Sequence, residues 1–329
     1  MNSSLKATAV AHSNIALVKY WGKLERPGNY PAVPSLSLTL DAFFTRTQVA
    51  FDQALSTDEF ELDGAPTFGR PLERVSRLLD EVRAKANLNL RARAVSTNNY
   101  PTAAGLASSA SGFAALALAA CRAAKLEASS AELSARARAC SASAARSIFG
   151  GFTALKAGAE SAEPLAGAAQ WPIALVIAVT ESGPKAIGST EAMNRTSKTS
   201  PCYPAWVETS TSRFDLACES VRKRDLHALG SCMEESTWFM HATMLTASPA
   251  VLYLAPSTLE VIHEIRRRRS AEVPAYFTTD AGPHVKILTL AEHVETVKSW
   301  LMPLNGVSRV AVCRPGPDAY FAPETAGEL

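Results

Sequence analysis

Residues 96–112 combine hydroxyl side chains with small residues in a pattern that could bind phosphate. The alternating residues 91–95 before them predict a half-exposed strand, and the Ala- and Leu-rich residues 113–125 after them predict a buried helix. A small-residue loop at a helix start gathers free backbone N–H groups in the positive field of the helix dipole, which suits phosphate. Ser108 and Ser109 add hydroxyls in the first helical turn, where they suit phosphate oxygens or Mg²⁺. A capped helix after an ordinary turn fits the spacing too, since neither a Walker loop nor a dinucleotide fingerprint is present.

Lys19 is a charged residue inside an apolar run. Residues 15–21 predict an early strand, which Gly22 and Lys23 end. Burying an unpaired ammonium group is costly, so Lys19 should have an acidic partner or an anionic ligand, unless it reaches solvent at a strand edge. Residues 34–40 alternate strictly between polar and apolar types and predict a strand with one polar face.

Asp280 stands in a tight corner between two short predicted strands. Residues 275–279 predict the first strand, an Ala-Gly-Pro turn follows Asp280, and residues 285–288 predict the returning strand. From the spacing alone, this aspartate either caps its own backbone in the turn or provides a carboxylate at a strand end.

Residues 133–148 predict a helix that gathers two hydroxyls and a guanidinium. Ser143 and Arg146 share one face of it, and Ser141 lies nearby at its start or at a bend. Arginine binds carboxylate or phosphate through a two-point fork, so this group suits an oxyanion. An ordinary helix with one surface arginine also fits the pattern. Gly150 and Gly151 end the helix.

Residues 70–87 predict an amphipathic helix. Val75, Leu78, Leu79 and Val82 fall on one face. The arginines at positions 74, 77 and 83 lie off that face, where most charged side chains are solvated.

The composition limits the classes of protein that fit. The 329 residues are 47% hydrophobic and 19% charged, with a formal net charge of +2. This length predicts one large or two medium domains, and the small net charge gives no field that favours nucleic acid. Four arginines at 266–269 end a predicted helix, where cations are favourable. We therefore expect no nucleic-acid partner.

The N-terminus and the cysteines indicate a cytoplasmic protein. The chain has no secretory signal pattern and no apolar run near the roughly 20 residues of a membrane span, so we expect no membrane partner. Six scattered cysteines predict buried free thiols in a reducing compartment rather than a zinc site. The tail beyond residue 314 is expected to be loosely ordered.

Six motifs carry a family resemblance. Asn-Asn-Tyr-Pro-Thr-Ala-Ala-Gly-Leu-Ala-Ser-Ser-Ala at 98–110 resembles the ATP loop of the small-molecule kinase superfamily that includes galactokinase, homoserine kinase and mevalonate kinase. Together with segments 14–23, 34–40, 134–151, 188–201 and 280–283, it resembles the diphosphomevalonate decarboxylase family over residues 8 to 290. Two departures stand out. Ala192 replaces a glycine of a turn, and His284 replaces an asparagine after Asp-Ala-Gly-Pro, which leaves the role of position 284 open. His241, in a further similar segment, is predicted to be structural.

The resemblance implies an α+β fold of two domains. Residues 1–184 would form an N-terminal domain like ribosomal protein S5 domain 2 that carries the ATP loop. Residues 185–329 would form a C-terminal ferredoxin-like domain that carries the catalytic aspartate. The active site would lie between them, and the protein would be a homodimer.

The resemblance also implies a reaction, namely ATP-dependent decarboxylation of (R)-5-diphosphomevalonate to isopentenyl diphosphate, ADP, phosphate and CO₂ in the mevalonate pathway of isoprenoid biosynthesis. ATP is the co-substrate and Mg²⁺ the metal, whose ligands the motifs do not indicate. The implied catalytic residues are Asp280, Lys19 and Arg146. The implied substrate-binding residues are Tyr20, Trp21, Gly22, Lys23, Arg74, Ser141, Ala142, Ser143, Ala144, Ala145, Ser189 and Thr190. The implied ATP-binding residues are Ser96, Asn98, Pro101, Ala103, Ala104, Gly105, Leu106, Ala107, Ser108 and Ser109.

Three alternatives stay open at this point. The enzyme could act on the monophosphate, as a phosphomevalonate decarboxylase. It could be a mevalonate-type kinase that does not decarboxylate. An S5-like RNA-binding protein is the alternative from outside the enzymes.

Overall fold

The computed structural model describes residues 5–100, 108–180 and 187–323. Within these ranges the strands are β1 (Lys6–Val18), β2 (Ser35–Asp52), β3 (Glu59–Leu62), β4 (Ala65–Pro66), β5 (Arg91–Asn98), β6 (Phe152–Leu155), β7 (Glu163–Ala166), β8 (Ile173–Thr180), β9 (Ala275–Thr279), β10 (Val285–Leu290), β11 (Val307–Cys313) and β12 (Tyr320–Phe321). The helices are α1 (Arg70–Ala86), α2 (Ser108–Ala123), α3 (Ser130–Cys140), α4 (Ser189–Thr199), α5 (Tyr203–Lys223), α6 (Leu226–Leu245), α7 (Pro256–Arg268) and α8 (Val294–Leu301). Short 3₁₀ helices span Ala142–Ile148, Ala168–Gln170 and Ala291–His293.

The first sheet has eight strands with the long hairpin of β1 and β2 at its centre. The strand order is β12-β1-β2-β5-β3-β4, and β6 and β7 extend from β2. The first half of β2 pairs with β6 and the second half with β5. The register of β1 against β2 shifts between His12 and Asn14 and again between Ala16 and Val18. Such irregularities redirect side chains, and these lie just before Lys19.

Helices α1, α2 and α3 share one core with the first sheet. This core contains the apolar face of α1, most alanines of α2, and Ala7, Ala9 and Ala11 of β1. Alanine adds little bulk, so α2 can lie close to the strand, which fits the buried helix predicted after residue 112. The predicted apolar face of α1, formed by Val75, Leu78, Leu79 and Val82, is buried.

The second sheet has four antiparallel strands in the order β11-β8-β10-β9. Helices α7 and α8 contribute to a core on this sheet with Val261, Ile265 and Val297. A further core joins the two sheets through α5 and α6, with Leu36 and Leu38 of β2, Ile177 of β8 and Phe214 of α5. The chain therefore has the α+β fold of two packed parts that the resemblance implied.

The predicted domain boundary after residue 184 stays a prediction. Residues 181–186 lie outside the described ranges. The strand before them, β8, pairs with β10 and β11 of the second sheet.

Three local predictions are wrong. The single helix expected over 133–148 is instead α3 and the Ala142–Ile148 3₁₀ helix, because Ser141 between them is extended (φ −155°, ψ 120°). Arg83, expected to be solvated, is 7% exposed and binds both carboxylate oxygens of Asp58 at 2.9 Å. The tail is not loosely ordered over its described part, because β12 pairs with β1.

The six cysteines are free thiols, as expected, and all but Cys202 are buried, namely Cys121, Cys140, Cys218, Cys232 and Cys313. In the described ranges, no cluster of three or more His, Cys, Asp or Glu side chains could hold a metal ion. None of the described helices is long and apolar enough to cross a membrane.

Candidate active site

A carboxylate held between two buried lysines forms the centre of the site. Lys19 Nζ donates to Asp280 Oδ1 at 2.6 Å, and Lys286 Nζ lies 2.9 Å from Asp280 Oδ2. Both lysine side chains are 1% exposed, whereas the Asp280 side chain is 30% exposed. The aspartate is thus the accessible member of the cluster, and the acidic partner predicted for Lys19 is present.

The local fold explains how these groups meet. Lys19 follows the last residue of β1, not inside the strand as predicted, and its backbone N–H donates to Ser236 Oγ of α6 at 2.9 Å. Asp280 follows β9, in a turn closed by a hydrogen bond from Gly282 N–H to Asp280 O at 2.8 Å. Lys286 is the second residue of β10, so Asp280 and Lys286 both come from the β9–β10 hairpin.

The charges perturb one another strongly. Burial alone would raise the pKa of Asp280, but Lys19 and Lys286 outweigh it and hold that pKa well below its usual range. Burial, with the charge of Lys286, lowers the pKa of Lys19 to about 8 against the attraction of Asp280. The Asp280 carboxylate is therefore ionised at neutral pH, and the pKa of Lys19 lies close to neutral pH.

Arg146 is a buried cation beside this cluster. It is 2% exposed, donates from Nη1 to Ser35 Oγ at 2.7 Å and from Nε to Asn14 Oδ1 at 3.2 Å. No carboxylate of the described residues lies within 4.0 Å of its guanidinium. Burial lowers the pKa of Arg146 to about 10, and its charge in turn disfavours the protonated form of Lys19. The interpretation as an ordinary surface arginine is wrong, and the remaining guanidinium donors suit an anion.

The serines predicted near Arg146 lie where the helix breaks. Ser141 Oγ and Ser143 Oγ are 3.2 Å apart, and Asn14 Nδ2 donates to Ser143 O at 3.0 Å. Three small residues of the same 3₁₀ helix are buried, namely Ala142, Ala144 and Ala145. Their small side chains leave the two hydroxyls at the surface of a compact turn.

The loop after β1 contains four of the predicted substrate-binding residues, Tyr20 to Lys23. The Tyr20 hydroxyl is buried without a hydrogen-bond partner in the described part of the chain, and burial raises its pKa. Trp21 is a core residue whose Nε1 donates to Thr196 Oγ1 at 2.8 Å. Gly22 has φ +116°, and a Cβ there would lie 2.1 Å from Tyr203 Oη, so only glycine fits. Lys23 Nζ donates to Asn29 Oδ1 at 2.7 Å and lies 3.5 Å from Thr190 Oγ1.

Lys23 belongs to a group of cations at the start of α1. Burial lowers the pKa of Lys23, and the charges of Arg74 and Arg70 lower it further. Arg74 Nη2 donates to Cys140 O at 2.6 Å, and its guanidinium stacks over the Phe113 ring at 4.4 Å. None of these three cations has a carboxylate of the described residues within 4.0 Å. Such a group of unpaired cations suits a polyanion.

The described ATP-binding candidates share one cavity. Ser96, Asn98, Ser108 and Ser109 line a cavity of about 160 Å³ whose wall also includes Arg74. Ser108 and Ser109 form the first turn of α2, as predicted. Six further candidates lie outside the described residues, namely Pro101, Ala103, Ala104, Gly105, Leu106 and Ala107.

The remaining candidates have mainly positional roles. Ser189 begins α4, and Thr190 follows it beside Lys23. Ala192 is buried inside α4 rather than in a turn. His241 Nε2 lies 2.7 Å from Thr279 Oγ1, and burial lowers its pKa to about 3, so it is a neutral side chain next to the lysines. His284 accepts a hydrogen bond from Thr180 N–H at Nδ1 (3.2 Å).

Sequence reasoning did not select three residues that the structure brings to the site, namely Lys286, Ser35 and Asn14. A usable signal existed for Lys286 and for Ser35. Lys286 is a lone lysine in an apolar strand, the same pattern that drew attention to Lys19. Ser35 belongs to the polar face predicted for residues 34–40, which lies inside the protein and not in solvent.

Together, the two sheets, the buried charge cluster between them and the cavity at the start of α2 define a two-domain small-molecule kinase fold. Comparison with known proteins narrows this class. The model of the diphosphomevalonate decarboxylase-like N-terminal domain matches residues 11–166, and that of the mevalonate 5-diphosphate decarboxylase C-terminal domain matches residues 175–310. The chain belongs to the diphosphomevalonate decarboxylase family.

Individual relatives are similar over most of their length. A diphosphomevalonate decarboxylase of Aspergillus fumigatus is 35% identical, over 92% of this chain and 81% of its own. A phosphomevalonate decarboxylase of Haloferax volcanii is 32% identical, over 89% of this chain and 91% of its own. A structure described as "MDDEF in complex with MVAPP, AMPPCP and Magnesium" is 37% identical with a TM-score of 0.90, covering 97% of this chain and 99% of that one.

Proposed function

We propose that the protein catalyses the ATP-dependent decarboxylation of (R)-5-diphosphomevalonate to isopentenyl diphosphate, ADP, phosphate and CO₂. The observation that carries the proposal is the accessible Asp280 carboxylate, held by buried Lys19 and Lys286. Beside it lies Arg146, with which no described carboxylate forms an ion pair. Asp280 can bind a substrate hydroxyl and Arg146 can bind a substrate carboxylate, as the reaction requires. The family relatives support the same activity.

Each group has a chemical task in this reaction. A tertiary hydroxyl is a poor leaving group, so phosphorylation by ATP must come before loss of CO₂. Asp280 accepts or orients the proton of that hydroxyl, and Lys19 stabilises negative charge on the phosphoryl group in transfer. Arg146 and Ser141 hold the carboxylate, which fixes the breaking C–C bond. Electrons from that bond then form the alkene as phosphate departs.

The cation group at α1 is assigned to the substrate diphosphate. Lys23 and Arg74 are partly buried, carry charges that disfavour each other, and lack carboxylate partners among the described residues. A bound diphosphate would relieve that repulsion. The buried Tyr20 hydroxyl, which lacks a described partner, is assigned to the same ligand because the family resemblance implies it.

ATP is assigned to the cavity at the start of α2. The cavity has hydroxyl and amide groups from Ser96, Asn98, Ser108 and Ser109 at a helix N-terminus. Mg²⁺ prefers oxygen ligands and is usually bound through substrate phosphates with few protein groups, so these hydroxyls fit it without a carboxylate cage. The Ser108 and Ser109 hydroxyls would hold the ion together with the phosphates. When bound, Mg²⁺ neutralises charge on the phosphates. The magnesium and AMPPCP in the similar MDDEF structure support this assignment.

A second candidate function is decarboxylation of the monophosphate. The Haloferax volcanii relative with the name phosphomevalonate decarboxylase favours it. Against it, the cations near Lys23 exceed what one phosphate needs. A second phosphate can add one or two charge-assisted hydrogen bonds of ~1.5–3 kcal/mol each.

Product analysis with both substrates tests the proposal. The purified protein is incubated with ATP, Mg²⁺ and either 5-diphosphomevalonate or 5-phosphomevalonate, and ADP, CO₂ and the alkene product are quantified. We expect at least a ~10-fold higher kcat/KM for the diphosphate, from one added charge-assisted hydrogen bond. Arg74→Ala should reduce this preference, and Arg77→Ala, an exposed residue of the same helix, should not. ADP without CO₂ would indicate a kinase, and a preference for the monophosphate would establish the second candidate.

We further propose, from the family resemblance, that the protein is a homodimer in the cytoplasm. Sedimentation at several concentrations tests the first statement, and cell fractionation tests the second. A monomer at all concentrations, or a membrane or secreted fraction, would contradict them.

A further inference from the structure

Lys286 occupies a carboxylate oxygen of Asp280 that Lys19 does not reach. Its Nζ lies 2.9 Å from Oδ2 and donates to His284 O at 3.3 Å, while Lys19 binds Oδ1. A lysine at 1% exposure in a central strand of a sheet is costly unless its charge has a function or a partner. One carboxylate between two ammonium groups leaves a net positive charge, so charge balance alone does not explain the second lysine.

The two lysines differ in how they are attached. Lys286 and Asp280 belong to one hairpin, in which Lys286 pairs with Thr278 across β9 and β10. Lys19 comes from the end of β1 in the other sheet. Any movement of the two sheets relative to each other therefore changes the Lys19–Asp280 distance, but leaves the Lys286–Asp280 distance as the hairpin sets it.

We propose that Lys286 is a positioning residue that holds Oδ2 of Asp280 throughout the reaction and so reserves Oδ1 for the substrate hydroxyl. This inference rests on the proposed function. Lys19 can then exchange from Oδ1 to the phosphoryl oxygens without releasing the carboxylate. Without Lys286, the carboxylate rotates or follows Lys19, and neither oxygen faces the hydroxyl reliably.

Charged and titratable groups approach Asp280 from four elements. Lys19 comes from the end of β1, Lys286 from β10, His241 from α6 and Arg146 from the 3₁₀ helix. His241 is neutral at working pH because burial lowers its pKa to about 3. Loss of activity at acid pH is therefore assigned to protonation of Asp280. An opposite charge within about 4–6 Å lowers the pKa of an aspartate by about 1–3.

Lys286→Met and Lys286→Gln remove the charge and keep most of the side-chain volume. We expect kcat to fall at least ~10-fold, because an interaction that stabilises the transition state is lost. KM for both substrates should stay within about threefold of the parent. The acid limb of the kcat/KM profile should move at least ~1 pH unit upward, since one cation is lost. Lys286→Arg should keep the acid limb in place and recover part of kcat. Lys156→Met removes an exposed lysine and should change none of these values.

A measurement that needs no turnover separates this inference from the proposed function. Carboxyl-¹³C aspartate labelling, with the Asp280 signal assigned by its loss in Asp280→Asn, gives the Asp280 titration directly. It should move upward in Lys286→Met and Lys286→Gln and stay in place in Lys286→Arg. If the parent protein does not decarboxylate, the proposed function fails, but this titration still shows whether the charge of Lys286 acts on Asp280. An unmoved titration, or variants with parent kcat and acid limb, would overturn the role of Lys286.

Discussion

Replacing Arg146 with methionine should abolish most activity while leaving the protein folded and stable. The reason is that Arg146 is a buried cation without a carboxylate partner among the described residues. Burial lowers its pKa from 12.5 to about 10, which corresponds to roughly 3 kcal/mol against the charged form. Methionine removes that cost, but also removes the hydrogen bonds to Ser35 and Asn14, worth about 1 kcal/mol each. We expect the free energy of unfolding to change by less than about 2 kcal/mol.

The effect on catalysis should be much larger. A guanidinium that binds the substrate carboxylate through its fork makes two charge-assisted hydrogen bonds, each worth ~1.5–3 kcal/mol. Losing about 3 kcal/mol lowers kcat/KM by about 100-fold, and this is the minimum we expect for Arg146→Met. Arg146→Lys keeps the charge but loses the fork, and should cost at least ~10-fold.

Arg83→Met is the matched control, because Arg83 is also buried but is paired with Asp58. Removing one partner of a buried ion pair leaves an uncompensated charge and costs about 3–5 kcal/mol. We therefore expect opposite outcomes, with activity lost but stability kept for Arg146→Met, and stability lost but activity kept for Arg83→Met. The assays are urea unfolding and ADP release coupled to CO₂ detection. An Arg146→Met protein with kcat/KM within threefold of the parent, or as unstable as Arg83→Met, would refute the reasoning.

Three further predictions concern the same site. Asp280→Asn should lower turnover ~10²–10⁴-fold, which is the contribution of a positioned acid–base group, and calorimetry should find the ATP affinity unchanged. Turnover within a few-fold of the parent would exclude Asp280 from the mechanism. Because the pKa of Lys19 is lowered to about 8, it is charged below that pH and neutral above it, so kcat/KM should fall as pH rises through about 8. Lys19→Arg should move that limb to higher pH, and an unmoved limb would assign it to another group. Lys23→Met should raise KM for the diphosphate substrate at least ~10-fold, the loss of one charge-assisted hydrogen bond, with less effect on KM for ATP; equal effects on both would contradict the assignment.

Local patterns predicted most of the secondary structure and the centre of the site. The amphipathic period of 70–87 corresponds to α1, and the alternating residues 91–95 lie in β5. A lysine in an apolar run and an aspartate in a small-residue corner proved to be bonded to each other across 261 positions of sequence. The prediction for Lys19 succeeded because burying an unpaired ammonium group is so unfavourable that the lysine implied an acidic partner or an anionic ligand.

Other features depend on contacts that no local pattern reports. The break at Ser141 separates α3 from the 3₁₀ helix, although the helical period continues through it. Arg83 looked like a surface residue because its partner Asp58 lies 25 positions earlier, in a segment without a clear pattern. The tail beyond residue 314 has no local pattern that predicts order, because distant contacts order it, namely the pairing of β12 with β1 and the hydrogen bonds of Gly316, Asp318 and Ala319.

The polar face of β2 shows why the site was only partly predictable. Alternation at 35–40 indicated one apolar and one polar face, and a polar face usually meets solvent. Here both faces are buried, and Ser35 on the polar one hydrogen-bonds Arg146. The strand thus lies between an apolar core on one side and the buried cation on the other. Lys19, Lys286 and Arg146 then exceed the single charge of Asp280, and a protein keeps such an excess only where an anionic ligand completes the balance.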